Sequence, residues 1–483
     1  MNFSNLIENI GKSRKIEKSI YITSFIFLLI LCLGKFHRYF ISEQLSLAIN
    51  LEETNSIYPN EDLSMANHSS SYFPGMVYLI YFLRTFVPDI ALYEIMLFIA
   101  ALSIIFFFYV LRKILIEIFD KIELENFWLF SIIFCLWMCD FWLYYATSFK
   151  TDIFAFSLIL YAFLIAKPHV QNVKRNYLQI FISLILIAYA ITLKQQAILI
   201  LGAVLIYSII NKNLFFKIYS SLIFLISFLL FYYFYLDENL WFHTFEKYKG
   251  DDFYTISELI KLYYNDVINF LLLLLFVALS KYFRIMKLDL KNDAQIIYNN
   301  LKKNIWVYLT FAFASAGFIS SLKIGGNSGN IQISIILFLP FIYIFLRRFN
   351  KQTMIIVAFA LLFLKIPDII HNFKNYYYSK DFQFNVKTSL NNSQKVKILS
   401  DKYTYFSVFL VEEDNQTTDF ETLRVIEKYL NNRKLSKVEL LNEVLKKDFD
   451  FIIFSDDISK IEQIKNNYKL LLNSKKGYVY QKI

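Results

Sequence analysis

The sequence predicts an all-α polytopic membrane bundle, about 11 transmembrane helices plus one outer-leaflet interfacial helix, with a small C-terminal α/β domain on the non-cytoplasmic side. Three observations predict it. Hydrophobic residues make up 57% of the 483 and the mean hydropathy is +0.43, more apolar surface than a soluble core of this length buries. Only 10 Gly and 6 Pro interrupt the apolar stretches, and a hydrocarbon core about 30 Å thick takes roughly 20 such residues per helical crossing. Lys and Arg concentrate in short loops between those stretches, so the net charge of +10 reads as a topology signal and not as a nucleic-acid footprint. A strand barrel would alternate apolar and polar residues, whereas 271–276 is Leu-Leu-Leu-Leu-Leu-Phe, apolar on every face.

The chain opens with a basic stretch (Lys12, Arg14, Lys15, Lys18), expected on the cytoplasmic side. No small-residue cleavage site precedes Lys35, so the apolar segment 20–35 is expected as a retained first helix. It delivers the first outer loop, 36–89, to the far side. Further helices are expected at 90–111, 127–146, 152–166, 177–193, 195–210, 214–236, 267–279, 305–322, 331–346 and 354–366. With those crossings Arg112/Lys113, 167–175, Lys212/Lys217, 281–303 and 347–351 all fall in cytoplasmic loops. Segment 72–87 is apolar enough for a helix, but a full crossing there would put every later basic loop outside. It reads as a helix at or dipping into the outer leaflet, the alternative being that it spans and another helix goes unrecognised. Cys32, Cys135 and Cys139 lie inside apolar segments and read as packing residues.

After residue 366 Asn, Lys, Asp and Ser become frequent and long apolar runs stop. The chain therefore divides into a transmembrane part, 1–366, and a soluble non-cytoplasmic α/β domain, 367–483. In the latter, 395–399 and 450–454 read as short buried strands, 422–430 and 437–447 as helices, and 477–483 as a final edge strand.

The informative residues are the polar ones at helix ends on the outer side. The first outer loop carries Glu43, Glu52, Glu53, Glu61, Asp62 and His68, then Ser-Tyr-Phe-Pro-Gly at 71–75. Later outer ends carry Lys150 and Asp152, then Lys194-Gln195-Gln196, then Lys323 with a Gly/Asn-rich stretch to 330. Each has a plain structural reading beside the functional one. Lys150 can anchor at the interface, and Glu52, Glu53, Glu61 and Asp62 can be solvated loop charges. Asp152 can cap the helix it opens, face a reaction site, or do both. His68 could orient a hydroxyl or bind a metal.

Three stretches in order resemble the GT-C superfamily of membrane glycosyltransferases, in its protein mannosyltransferase and aminoarabinose transferase branch. Ser56-Ile57-Tyr58-Pro59 followed by Tyr72-Phe73-Pro74-Gly75 is similar to the family's outer loop ending in a Pro-containing segment at the membrane surface. Lys150-Thr151-Asp152-Ile153 resembles a basic-x-Asp element opening a helix on the outer side, and Ile191 through Ala197 resembles a Lys-Gln element at an outer helix end. The Lys323–Asn330 stretch resembles a Gly/Asn-rich loop. One departure stands out: the family's first-loop acid is usually Asp soon after the first helix, and the nearest acid here is Glu43.

The resemblance implies transfer of a sugar from a polyprenyl-phosphate carrier to a lipid, glycan or protein acceptor. It makes Lys194, Lys323, Lys150 and Gln195 candidates for holding the donor phosphate, Glu43 the base and Asp152 a second acid, with His68 and Tyr72 on the acceptor path. A cation stabilises charge growing on the leaving phosphate, and a carboxylate opposite takes the acceptor proton in a single inverting displacement. A divalent metal remains open, since no spacing identifies a site. Partners are then the lipid-linked donor, the acceptor and membrane lipids, with no nucleic acid, and the location is a cell membrane crossed many times. Rival classes are a transporter or flippase, argued against by the lack of internal repeats and interrupted helices, and a polysaccharide polymerase or ligase, whose large outer loop belongs in the second half of the chain.

Overall fold

The computed structural model describes scattered residues of 44–57, then 74–119, 122, 124–137, 151–171, 176–241 except 212 and 239, 255–261 except 260, 290–322, scattered residues of 342–388, then 396–401, 416–420 and 436–483 except 447, 475 and 476. The helical part comprises α1 (Gly75–Arg84), α2 (Asp89–Phe119), α3 (Leu124–Trp137), α4 (Asp152–Gln171), α5 (Tyr177–Leu193), a 3₁₀ turn (Gln195–Leu199), α6 (Ile200–Ile210), α7 (Leu214–Leu236), α8 (Leu290–Lys303) and α9 (Ile305–Leu322). Among the described residues, Phe98–Phe119 and Leu214–Leu236 are long and apolar enough to cross a membrane, and several apolar helices are shorter.

These helices are apolar on both sides, and the two sides do different things. Inward faces meet in one core that includes Phe107, Phe130, Phe156, Ile187, Tyr207 and Phe313. Outward faces leave Phe181, Ile185, Leu205, Ile209, Leu225 and Phe228 exposed, a surface that water would drive to aggregate and hydrocarbon would accept. Of the polar side chains inside, Ser103, Ser131, Ser157, Ser227 and Thr310 donate to carbonyls of their own helices, and a few others pair across helices. The Ser183 and Tyr219 hydroxyls lie 2.9 Å apart between α5 and α7, and Ser208 donates to Ser220 at 2.8 Å between α6 and α7.

Contacts also sort the helix ends into two groups. At one end, Thr151 before α4 meets Leu193 at the end of α5, Gly75 of α1 meets Thr192, and Tyr78 of α1 lies close to Tyr233 and Asp237 at the end of α7. At the other, Lys167 of α4 pairs with Glu117 of α2 and donates to Asn304 just before α9 at 2.6 Å, while the Arg347 guanidinium sits 4.1 Å from the Phe119 ring centroid. The first end carries Tyr78, Tyr81, Tyr232, Tyr233 and Tyr235, exposed rings suited to a membrane interface. α1 is ten residues long, about 15 Å, half the thickness of a hydrocarbon core.

Several boundaries differ from the sequence reading. The helix expected at 90–111 continues to Phe119, so Arg112 and Lys113 lie within α2 and not in a loop; Ile114 and Leu115 beyond them are buried, and this apolar face carries the helix on. Lys113 is exposed, with its ammonium 5.5 Å from the Tyr109 ring centroid. Likewise α4 passes 166 to reach Gln171, held there by the Lys167 contacts. The segment 195–210 is not one helix: a 3₁₀ turn precedes α6, because Lys194 is extended (φ −150°, ψ 126°) and the chain must reverse there. The expected loop 281–303 contains the amphipathic helix α8.

The C-terminal part is built on a five-stranded sheet, order β2-β1-β3-β5-β4, with β1 (Lys397–Ser400), β2 (Gln416–Asp419), β3 (Phe451–Phe454), β4 (Tyr468–Ser474) and β5 (Gly477–Lys482). β1 pairs in parallel with β2 and β3; β5 runs antiparallel between β3 and β4. Strand periodicity divides each run between two cores. Leu399, Ile452, Phe454 and Tyr480 face α10 (Lys437–Val444) and α11 (Glu462–Asn467), while Ile398, Phe451, Ile453 and Val479 face Phe382 and Val386 on the other side. All four residues of β3 are buried for this reason, as a central strand covered on both faces requires. β5 is therefore not the edge strand expected for 477–483: β4, an unbroken polar-apolar mixture in sequence, takes the edge. The expected helix at 422–430 lies outside the described residues.

α10 begins with a reciprocal capping box: the Ser436 hydroxyl accepts from the Glu439 amide and the Glu439 carboxylate from the Ser436 amide. After β3, Asp457 accepts from the Ser459 amide at 2.9 Å and the Tyr480 hydroxyl at 2.7 Å, and these donors, the Ser459 amide first, hold its carboxyl below the usual range. A depressed folded-state value means stability that is present above the unfolded carboxylate's pKa of about 3.9 and is lost as pH falls through the folded value. Hydrogen exchange of the purified full chain should accordingly show amide protection at Ile458 and Ser459 falling between neutral pH and pH about 3, and Asp457→Asn should flatten that dependence.

Candidate active site at one end of the bundle

Two of the three stretches singled out in the sequence meet in space, and they are laced by two successive rungs. The first rung is a hydrogen bond: the Thr151 hydroxyl donates to the Leu193 carbonyl at 2.9 Å. That carbonyl is among the last of α5, which have no partner within their own helix, so the bond satisfies a group the helix end leaves open. The second rung is one residue further along each strand of chain, where the Lys194 ammonium lies 2.8 Å from Asp152 Oδ1. The side chains are 10% and 1% exposed, so this is a buried ion pair.

Local structure explains the placement. Asp152 is in the first turn of α4, where the aligned peptide dipoles present positive charge, and Lys194 directly follows α5, where they present negative charge. The extended conformation of Lys194 ends α5 and turns its side chain across the end of α4. Asp152 does not cap α4. Its two oxygens are enclosed, and neither meets the geometry of a hydrogen bond with any described residue; the lysine contact is an ion pair off the hydrogen-bond direction. Of the readings open from sequence, the cap is absent, and the carboxylate is instead buried against Lys194.

The third stretch closes on the same place. α1 begins at Gly75, and a Cβ there would lie 2.3 Å from Thr192 Oγ1 and 2.7 Å from the Thr192 carbonyl oxygen. Only a residue without a side chain lets the start of α1 approach α5 so closely, two residues before Lys194. Gly75 and Thr151 both stand in stretches singled out from the sequence, with no role given to either; Thr151 is flanked by Lys150 and Asp152, while Gly75, between Pro74 and Met76, carries no charge signal.

Part of the segment expected as the first outer loop also packs onto the bundle. Gln44, Leu45, Leu47 and Ala48 are buried, so the chain beside Glu43 is held against the helices. Glu52, expected as a solvated charge, is exposed but pairs with Arg84 at the end of α1. Glu43, His68, Tyr72, Lys150 and Lys323 lie outside the described residues, as does the side chain of Gln195, whose backbone opens the 3₁₀ turn. Lys323 directly follows Leu322, where α9 ends. Among the described residues no cluster of three or more His, Cys, Asp or Glu side chains could hold a metal ion.

No protein-family model and no curated protein sequence matches the chain. Solved structures do. ArnT from Cupriavidus metallidurans bound to undecaprenyl phosphate superposes with a TM-score of 0.54 at 10% identity, over 97% of this chain and 97% of that one. ArnT from the same organism in the apo state gives 0.50 at 10% identity, over 96% and 97%. At that identity the likeness speaks for architecture alone, and it runs from end to end of both chains: this chain has the fold of those two structures.

Proposed function

We propose that this chain is an integral membrane glycosyltransferase that moves a sugar from a polyprenyl-phosphate-linked donor to a lipid, glycan or protein acceptor at the non-cytoplasmic face. The observation that carries the reading is the buried Lys194–Asp152 pair at the helix end where Gly75 brings in the first outer loop. Burying two charges costs several kcal/mol per ion, so a pair kept at a bundle end needs a reason beyond packing. Sugar transfer supplies one. Negative charge grows on the leaving polyprenyl phosphate, and a cation already fixed in an enclosed site stabilises it without reorganising. Asp152 fixes that cation, and Lys323, Lys150 and Gln195 are proposed to complete the phosphate site.

Glu43 is proposed as the base that takes the acceptor hydroxyl's proton, in one inverting displacement, with His68 and Tyr72 along the acceptor path. The side facing away from the cytoplasm is assigned to the end bearing the ion pair, because Lys167, Arg347 and the Lys302-Lys303 end of α8 gather at the other. Residues 367–483 are proposed as a soluble module on the same side as the site.

Membranes containing the protein should transfer radiolabelled sugar from a synthetic polyprenyl-phosphate donor to endogenous lipid or glycan, and Glu43→Gln should lower the rate by about 100-fold or more. Absence of transfer with every donor tried, from protein shown to be folded, would overturn the enzyme reading. Full transfer by a folded Glu43→Gln variant would instead remove that residue as the base.

A further inference from the structure

The sheet-based part of the chain holds a groove of its own. It lies between α10 and α11, open to solvent, and its volume is about 740 Å³. Its lining is dominated by carboxamides: Asn442 from α10 and Gln463, Asn466 and Asn467 from α11. Lys460 and Glu462 also line it and their charges cancel.

We propose that this groove binds a neutral oligosaccharide, a site separate from the ion pair in the bundle. Each carboxamide offers one carbonyl acceptor and two N–H donors, and a sugar hydroxyl both donates and accepts, so adjacent hydroxyls can be met in pairs. Zero net charge favours a neutral ligand over a phosphate. Val438, 55% exposed, and Ile461 give apolar patches for the C–H face of a sugar ring. A peptide fits less well, since helices and a loop line the groove and no strand edge is there to pair with an extended backbone. The inference stands on the groove alone and holds whether or not the bundle transfers a sugar.

The test is saturation-transfer NMR on the purified full chain, in a detergent without a sugar headgroup, with chitotriose, maltotriose and mannotriose as probes and an Asn-Gly-Thr tripeptide beside them. At least one trisaccharide should receive saturation, and Asn442→Ala/Asn466→Ala should weaken its Kd about tenfold or more, the value of one to two hydrogen bonds. Asn466 is exposed and Asn442 half-buried, and an unchanged melting curve identifies the variant as folded. The proposal is overturned if no trisaccharide is saturated, if the double variant binds as the wild type does, or if the tripeptide alone is saturated.

Discussion

Lys194→Met should destabilise the bundle by about 3–5 kcal/mol, because it leaves the Asp152 carboxylate, 1% exposed, without its countercharge. Asp152→Leu alone should cost a similar amount by stranding the ammonium. The double variant Lys194→Met/Asp152→Leu should regain most of that loss, since replacing both members of a buried pair with apolar groups of similar size is often neutral or stabilising. Thermal unfolding in detergent reads these three effects, and label transfer from a polyprenyl-phosphate donor reads a fourth. If the pair serves chemistry, the double variant will be as stable as the wild type and transfer slower by about 100-fold or more. A double variant that recovers both stability and transfer would reduce the pair to a structural clamp between α4 and α5. The Thr151–Leu193 hydrogen bond supplies the internal control: Thr151→Val should cost about 1 kcal/mol, with transfer reduced far less than in the double variant.

How much of this was legible in the sequence follows from what each signal measures. Hydrophobic runs report burial in an apolar medium, so the helices at 177–193, 214–236 and 305–322 were placed to the residue. Charged residues read as loop markers, and that rule fails where a helix runs on past them; Arg112, Lys113 and Lys167 are the instances. In the C-terminal part β3 stood out as four apolar residues. β2, Gln-Thr-Thr-Asp, carries no apolar signal, so the sheet order and the interior place of β5 were beyond reach. For the site, Asp152 and Lys194 were each marked by their charge at the end of an apolar helix. That they touch depends on α4 packing beside α5 with the start of one level with the end of the other, a tertiary fact no spacing encodes. Asp152's alternative role as a cap could be settled only by the direction of its carboxylate.

Gly75 shows the same limit from the other side, since a glycine in a Pro-Gly segment is ordinarily read as a turn former. Here it has a helical place at the start of α1, and what matters is its missing side chain. A Cβ at Gly75 would lie 2.7 and 2.8 Å from the carbonyl oxygen and carbon of Thr192, backbone atoms in the last turn of α5 that cannot swing aside. Gly75→Ala must therefore push α1 off α5, and Gly75→Val must push it further; overpacking of this kind costs about 1–3 kcal/mol or more. Displacement of α1 carries the end of the first outer loop with it, two residues from Lys194 in the facing helix. Loss of transfer should thus exceed loss of stability: about tenfold or more for Gly75→Ala at temperatures where the protein stays folded, because misplacing a reacting group by an ångström is enough to slow chemistry about 100-fold. Thr192→Ala should not rescue it, since the backbone contacts remain. Thr85→Ala, at the far end of α1 where the hydroxyl only bonds the Phe82 carbonyl, should leave transfer unchanged. Equal transfer by Gly75→Val and wild type would mean that the approach of α1 to α5 is packing alone, and that the first outer loop reaches the ion pair by some other route.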